Sequence, residues 1–269
     1  MARNWKIDKN ESLEWKGRTL YRVVLTEDCE HGKAGEKMGW IEKERNLSQN
    51  AMVFDDAKVF DDAVVWGNAK IYGNAEVYDN AQVFFNAVVD ECAQVYGRAW
   101  VFGNAQVYGN AEVWGRAYVC DNVKVCSYGK VCDNAVIKNN SKVLGKAIVC
   151  GDTVISDDAE IYGSARVYGE AQIFNRAKVC GNAKVYGRAT IYNDAKVYGN
   201  AQVYDYGQLI DNAVVCDDGE VFGRAKITDT TRIEGKAKVY GREILVGCGV
   251  YCKGEKFGED EYDKKLGRL

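Results

Sequence analysis

From Val53 to Leu245 every sixth residue is Val, Ile or Leu, 33 positions in all without one insertion or deletion. The residue two places before each is small, and 25 of those 33 slots hold Ala. The exceptions are Val123, Gly129, Ser141, Thr153, Gly207, Gly219, Thr231 and Glu243, and only the last is charged. Well-kept copies read Ile71-Tyr72-Gly73-Asn74-Ala75-Glu76 and Val107-Tyr108-Gly109-Asn110-Ala111-Glu112. A period of six is too short for any helical repeat unit and belongs to parallel β-helices.

This lattice resembles the hexapeptide-repeat, left-handed β-helix superfamily, and the resemblance covers about three quarters of the chain. It implies an all-β, left-handed parallel β-helix in which three hexapeptides close one triangular coil of 18 residues, giving about 11 coils. At about 4.8 Å between stacked strands the prism is about 50 Å long. Strand alternation points the Ala and aliphatic columns inward and the residues beside each aliphatic outward. The Gly-Asn, Asp-Asp and Gly-Arg pairs then fall at corners, where Gly, Asn and Asp accept positive φ most readily. Residues 47–246 form the β-helix, 1–46 an N-terminal capping segment and 247–269 a C-terminal tail or cap.

The rest of the composition is consistent with one solenoid. The chain of 269 residues has no proline, as expected where most backbone N–H groups are needed for ladders. A net charge of −3 gives no bulk attraction to nucleic acid or an anionic membrane. Neither a membrane-spanning run nor a signal peptide is visible, so the expected location is a cytoplasm. Six of the ten cysteines (Cys120, Cys126, Cys132, Cys150, Cys180 and Cys216) take the slot after the aliphatic residue, where most copies carry an aromatic. They read as ring substitutes. Cys132 and Cys150, 18 residues apart, are at a spacing that allows a disulfide or a shared soft ligand, with the reduced pair preferred. No metal or cofactor is expected.

A solenoid end exposes ladder groups and core and needs a cover, a role expected of the alternating segment around Leu20, Arg22 and Val24. Ile41 and Leu47 already keep the six-residue register, although Arg45 sits in a small-residue slot. The lead-in Gly39-Trp40-Ile41-Glu42-Lys43-Glu44-Arg45-Asn46-Leu47-Ser48 resembles that of uncharacterised hexapeptide-repeat proteins of bacteriophage and prophage genomes, which implies a phage origin and, for a phage protein, the host cytoplasm.

Taking every eighteenth residue separates three faces. The first, starting at Val53, carries Lys70, Lys124, Lys142, Lys178, Lys196 and Arg232 in its outer column. The second, starting at Val59, has the longest aromatic run, Phe60, Tyr78, Tyr96 and Trp114 and then Tyr168 to Tyr240, with arginines at its following corner. The third, starting at Val65, has only Lys138 and Lys226 as charges among its 22 outward positions, and its corner stacks Asn68, Asn86, Asn104, Asn122 and Asn140.

Enzymes of the resembled superfamily include acyltransferases with a histidine base beside the coils and a protruding loop. Here the one histidine, His31, precedes the lattice and reads as an exposed turn residue, and no loop interrupts Val53 to Leu245. Without an imidazole at the coil surface the usual proton acceptor is missing, and three-histidine zinc chemistry fails outright. Thr153, Thr190, Thr228, Thr230 and Thr231 make no ice-binding array, and acid pairs such as Asp55-Asp56 read as turns. A non-enzymatic, self-associating scaffold or binding protein is therefore expected, with a protein that sequesters a small anionic metabolite or nucleotide as one alternative and an acyltransferase relative as the other. The expected oligomer interface is Trp66, Phe84, Trp100, Phe102 and Tyr118 on the third face, in a homotrimer by resemblance and a dimer next. The expected ligand site is Tyr96, Arg98, Trp114 and Arg116, where two guanidinium groups beside two rings suit an anion.

Overall fold

The computed structural model describes residues 3–30, 32–48, 50–252 and 256–257. Its contacts divide the chain into two compact units, Met1–Asp133 and Asn134–Leu269. Each is a parallel β-solenoid with 18-residue turns, built from three sheets of two-residue strands.

The first unit opens with an antiparallel meander. Strand β1 (Trp5–Trp15) turns through Lys16-Gly17 into β2 (Arg18–Leu25), which pairs with β3 (Lys37–Ile41). β3 then runs parallel to Lys58–Val59, with Ile41 opposite Val59, so the meander extends the second sheet at its starting edge. It also covers the beginning of that sheet's aromatic column: Leu20, Trp40 and Phe60 form a buried cluster joined by Leu13, Trp15 and Tyr78. Lys16 lies 4.4 Å over the Tyr78 ring and 2.6 Å from Glu76. The imperfect copy around Arg45 becomes a single 3-10 turn, Glu44–Asn46. Asn46 is buried there because its amide donates to the carbonyls of Asp61 and Ala63, after which Leu47 bridges to Val65 in register.

Beyond this point the register is uninterrupted within each unit. Val53 pairs with Ile71, Val59 with Val77 and Val65 with Val83; in the second unit Ile137 pairs with Ile155 and Val143 with Ile161. Ala75 and Val77 are fully buried, as are the aliphatic residues from Val53 to Val239. Of the departures from Ala, Ser141, Thr153 and Thr231 are also fully buried; Ser141 bonds the Lys138 carbonyl and Thr231 that of Gly247. The pattern weakens at Glu243 and Leu245, both half-buried, beside exposed Ile244 and Val246.

Each corner has one residue in the left-handed region, mostly Gly, Asp or Asn. The Asp corners do more than tolerate positive φ, since the carboxylate accepts the backbone N–H of the corner residue 18 positions later. Asp55 accepts Gly73 N at 3.0 Å, Asp79 accepts Gly97 N at 3.0 Å and Asp217 accepts Gly235 N at 3.1 Å. A donor that the ladder leaves unpaired is thereby satisfied.

Candidate functional site

The second-sheet aromatics of the first unit form one parallel stack. Phe60–Tyr78, Tyr78–Tyr96 and Tyr96–Trp114 have centroid separations of 5.1, 4.9 and 5.7 Å, each with an interplanar angle of 3°. Strand register imposes this, because identical slots recur one strand spacing apart and a ring there has a ring above and below it. The faces of Tyr96 and Trp114 are therefore directed at each other, with no separation that admits a third ring. The Tyr96 hydroxyl donates to Glu112 at 3.3 Å, and burial, followed by the Glu112 charge, pushes its phenol up to about 12. Glu112 also holds Lys130 at 2.8 Å.

Arg98 and Arg116 lie at the following corner, exposed, with no side-chain partner among the described residues. Their backbone N–H groups are in the ladder, to Gly115 O and Asp133 O. Tyr96, Arg98, Trp114 and Arg116 thus occupy one corner of the first unit, but its chemistry is that of a cation pair beside ring edges. Reading only the arginine column missed Asp79 and Asp133, which take the left-handed slots of the same corner one turn before Gly97 and one turn after Gly115.

The third face of the first unit has a different geometry. Trp66, Phe84 and Phe102 stack at 4.5 and 4.8 Å. Trp100 stands edge-on to Phe84 at 5.9 Å and 78°, and Tyr118 is tilted against Trp100 at 5.2 Å. Tyr118 is exposed, Phe84 is buried and the other three are half-buried. Phe85 was missed by the sequence reasoning. It is 51% exposed, has φ 59° in a slot held by Gly67 and Gly103 one turn to either side, and tilts against Trp66 and Phe84 at 5.6 and 5.2 Å. The signal was available in the sequence: a ring in a corner column otherwise written in Gly, Asp and Asn. Beside this face the expected amide ladder is present, with Asn68, Asn86 and Asn104 each donating to the next asparagine at 3.1–3.3 Å, ending on Asn122.

The second unit repeats the stacking from Tyr168 through Tyr186, Tyr204 and Phe222 to Tyr240. At its corner Arg188 is held by Glu170 at 2.8 Å and lies over Tyr206, which Arg224 also approaches. A shallow groove at the third corner is lined by Asp157, Asp158, Asp194 and Asp211. Each carboxylate there is engaged, by Asn175 N, Asn140, Arg176 and Asn193 respectively. Cys216, Asp217 and Glu234 bring potential ligand atoms within 4.8 Å of one another. Glu234 is already neutralised by Arg232 at 2.5 Å, and burial pushes the Cys216 thiol up. None of the ten cysteines, Cys132 and Cys150 included, is in a disulfide. His31 and the tail residues 253–255 and 258–269 lie outside the described residues.

Residues 93–109 match the family model of the YdcK β-solenoid repeat, a similarity that spans about one turn and agrees with the architecture. No curated protein matches the chain.

Proposed function

We propose that this chain is a non-enzymatic β-solenoid scaffold that self-associates through the third face of its first unit. The observation that carries the reading is the cluster Trp66, Phe84, Phe85, Trp100, Phe102 and Tyr118, an aromatic surface without a charged residue among its outward positions. Soluble monomers rarely leave a contiguous apolar patch of this kind open. A second copy is the occupant that fits, because the face offers nothing to a charged partner and presents rings at a fixed strand spacing that an identical face can meet. A homotrimer is the assembly of the resembled superfamily, and a dimer is next. The lead-in at Gly39–Ser48 supports a phage origin, and ten unbridged thiols support a reducing cytoplasm, the host's for a phage protein.

Sedimentation of the native chain tests this. An oligomer that Trp100→Asp with Phe102→Asp dissociates is the expected outcome, and a monomeric native chain or an oligomer unaffected by the double substitution refutes it. The exposed, unpaired Arg98 and Arg116 favour a second reading, an anion site at Tyr96, Arg98, Trp114 and Arg116. Calorimetry with nucleotides and sugar phosphates on Arg98→Ala with Arg116→Ala decides it, since the double substitution removes the binding if the site is real. The acyltransferase alternative requires acyl-donor turnover that survives His31→Ala.

A further inference from the structure

Several cations on the outward columns of the first two sheets are kept beside acids, although Lys70 and Lys124 have no carboxylate partner among the described residues. Lys130 has Glu112 at 2.8 Å, Lys238 has Glu220 at 2.7 Å and Arg232 has Glu234 at 2.5 Å. Lys142 and Lys178 share Glu160 at 2.8 and 3.0 Å. One corner of the second unit departs from this pattern. On the second sheet Arg166 is the direct register partner of Lys184, and the next residues along that column are Ile148 and Gln202. On the first sheet Lys178 is the register partner of Lys196. Arg166, Lys184 and Lys196 have no carboxylate partner among the described residues. Lys178 and Lys184 stand three residues either side of Gly181 in one turn; Arg166 belongs to the turn before and Lys196 to the turn after. Like charges directly opposite on adjacent strands destabilise the sheet, so the fold carries this arrangement at a cost.

The backbone between these cations also departs from the neighbouring corners. Gly163, Gly181 and Gly199 stack with φ of 71°, 68° and 72°. At Gly73, Gly97 and Gly235 an aspartate of the previous turn accepts the corner N–H. Here the residue of the previous turn is itself Gly, namely Gly145, Gly163 and Gly181. The N–H groups of Gly163, Gly181 and Gly199 consequently have no acceptor among the described residues, and Gly163 and Gly181 are exposed. Backbone N–H groups in left-handed turns create anion-binding positions, and charge-assisted bonds from flanking cations strengthen them. Gly169 and Gly187 have the same backbone at another corner of this unit, three residues beyond Arg166 and Lys184. There Asp152 stands beside it, Glu170 already holds Arg188, and the far strand carries Gln172 and Thr190 where this corner has Lys178 and Lys196.

We propose that this corner is a binding site for phosphoryl groups, held by the N–H of Gly181 and Gly199 together with Arg166, Lys178, Lys184 and Lys196. The rings that directly precede this corner, Tyr162 and Tyr198, are two turns apart with Cys180 in the same column between them. Tyr168 and Tyr186, beyond the second-sheet strands, face each other at 4.9 Å, so the site is defined by its cations and backbone donors. Recognition is therefore of charge, and it repeats with each turn, about 4.8 Å along the solenoid. A chain of phosphates engages successive turns and binds more tightly than a single one.

Calorimetry on the full chain with orthophosphate, pyrophosphate and tripolyphosphate at fixed ionic strength is the test. Affinity rises along that series. Gly181→Asp inserts the corner residue that the same column already uses at Asp217. Its Cβ would come within 2.9 Å of the Gly199 N, so the corner shifts slightly, and circular dichroism and a melting curve verify that the variant folds. Its carboxylate takes the Gly199 N–H and repels the ligand, and tripolyphosphate affinity drops by about tenfold or more. Arg166→Gln with Lys184→Gln lowers it by a similar factor, and Gly169→Asp, at the acid-flanked corner, leaves it unchanged. The proposal is overturned if the native chain binds none of the three at millimolar concentration, if folded Gly181→Asp stays within about twofold of the native affinity, or if Gly169→Asp loses as much as Gly181→Asp.

Discussion

Replacing Phe85 by Asn tests whether the third face is built for contact or for stability. Phe85 holds φ 59°, and a left-handed backbone costs an L-residue other than Gly, Asn or Asp about 1–2 kcal/mol. In return its ring meets Trp66 at 5.6 Å and Phe84 at 5.2 Å, and an aromatic pair adds about 0.5–1.5 kcal/mol. Burial adds little more because the residue is 51% exposed. Asn adopts this conformation readily, as Asn139, Asn175 and Asn193 do in the corresponding slots of the second unit. The relief of strain and the loss of ring packing are of similar size, so Phe85→Asn is expected to change stability by no more than about 1 kcal/mol in either direction. The same substitution removes the most exposed ring of the cluster and shifts sedimentation toward the monomer.

Urea denaturation at a concentration where the variant is monomeric measures the first effect, with hydrogen exchange across the strands at Val65, Val83 and Val101 reporting local opening that a global curve misses in a solenoid. A loss above about 2 kcal/mol would show that the ring is a structural wedge whose packing far outweighs its backbone strain. An unchanged oligomer with unchanged stability would remove Phe85 from the interface. The informative result is the combination of near-neutral stability and altered mass.

Three further outcomes follow from the geometry. Burial raises the phenols of Tyr96 and Tyr186 from 10.0 to about 12; their contribution to stability is complete below pH 10 and is lost as the pH rises from 10 to about 12, so Tyr96→Phe with Tyr186→Phe flattens the alkaline limb of a stability–pH curve read alongside phenolate absorbance. Asp79→Ala leaves the Gly97 N–H without its acceptor and puts Ala at φ 59°, a combined loss of about 2 kcal/mol in thermal or urea melts, whereas Asp79→Asn keeps most of the stability. Glu160 is held below the usual carboxylate range by hydrogen bonds from Lys142 and Lys178; its contribution is present above that range and disappears as pH falls through the depressed value, a decline that Lys142→Met with Lys178→Met removes from acid titrations.

The interior was legible because inward positions obey one rule at every turn: a residue at the six-residue position has a copy of itself above and below, so only volume and hydrophobicity are selected there. The corners were legible for a related reason, since Gly, Asp and Asn mark positive φ in the sequence. The antiparallel meander was less so. Alternation around Leu20 to Val24 identifies a strand, but nothing in it specifies that β1 and β2 pair antiparallel and lay Trp15 and Lys16 over Phe60 and Tyr78. Such pairing is set by tertiary packing that no periodicity encodes. The 18-residue spacing places Arg98 and Arg116 on one corner, yet the electrostatics of that corner were read from a single column. A corner has two outward columns, and Asp79 and Asp133 stand in the other.

That second column distinguishes the two anion sites by charge. At Arg98 and Arg116 the aspartates nearly balance the two guanidinium groups, and Asp79 already takes the Gly97 N–H that a ligand oxygen would otherwise accept. An anion arriving there competes with a built-in carboxylate and gains little net attraction in water, where two unit charges about 4 Å apart are worth only about 1 kcal/mol. Around Gly163 and Gly181 the left-handed column holds no carboxylate one turn to either side; Asp217 stands one turn after Gly199 but spends its carboxylate on the Gly235 N–H, and Glu160 is divided between Lys142 and Lys178. The expected outcome is a difference in salt dependence: tripolyphosphate binding to the native chain weakens steeply with ionic strength and is insensitive to Arg98→Ala with Arg116→Ala. Titrations at low and high salt on that variant and on Gly181→Asp measure it. If instead the arginine pair carries the binding and Gly181→Asp does not disturb it, local charge balance is the wrong criterion for ranking these corners, and the exposure of the two guanidinium groups outweighs the acids beside them.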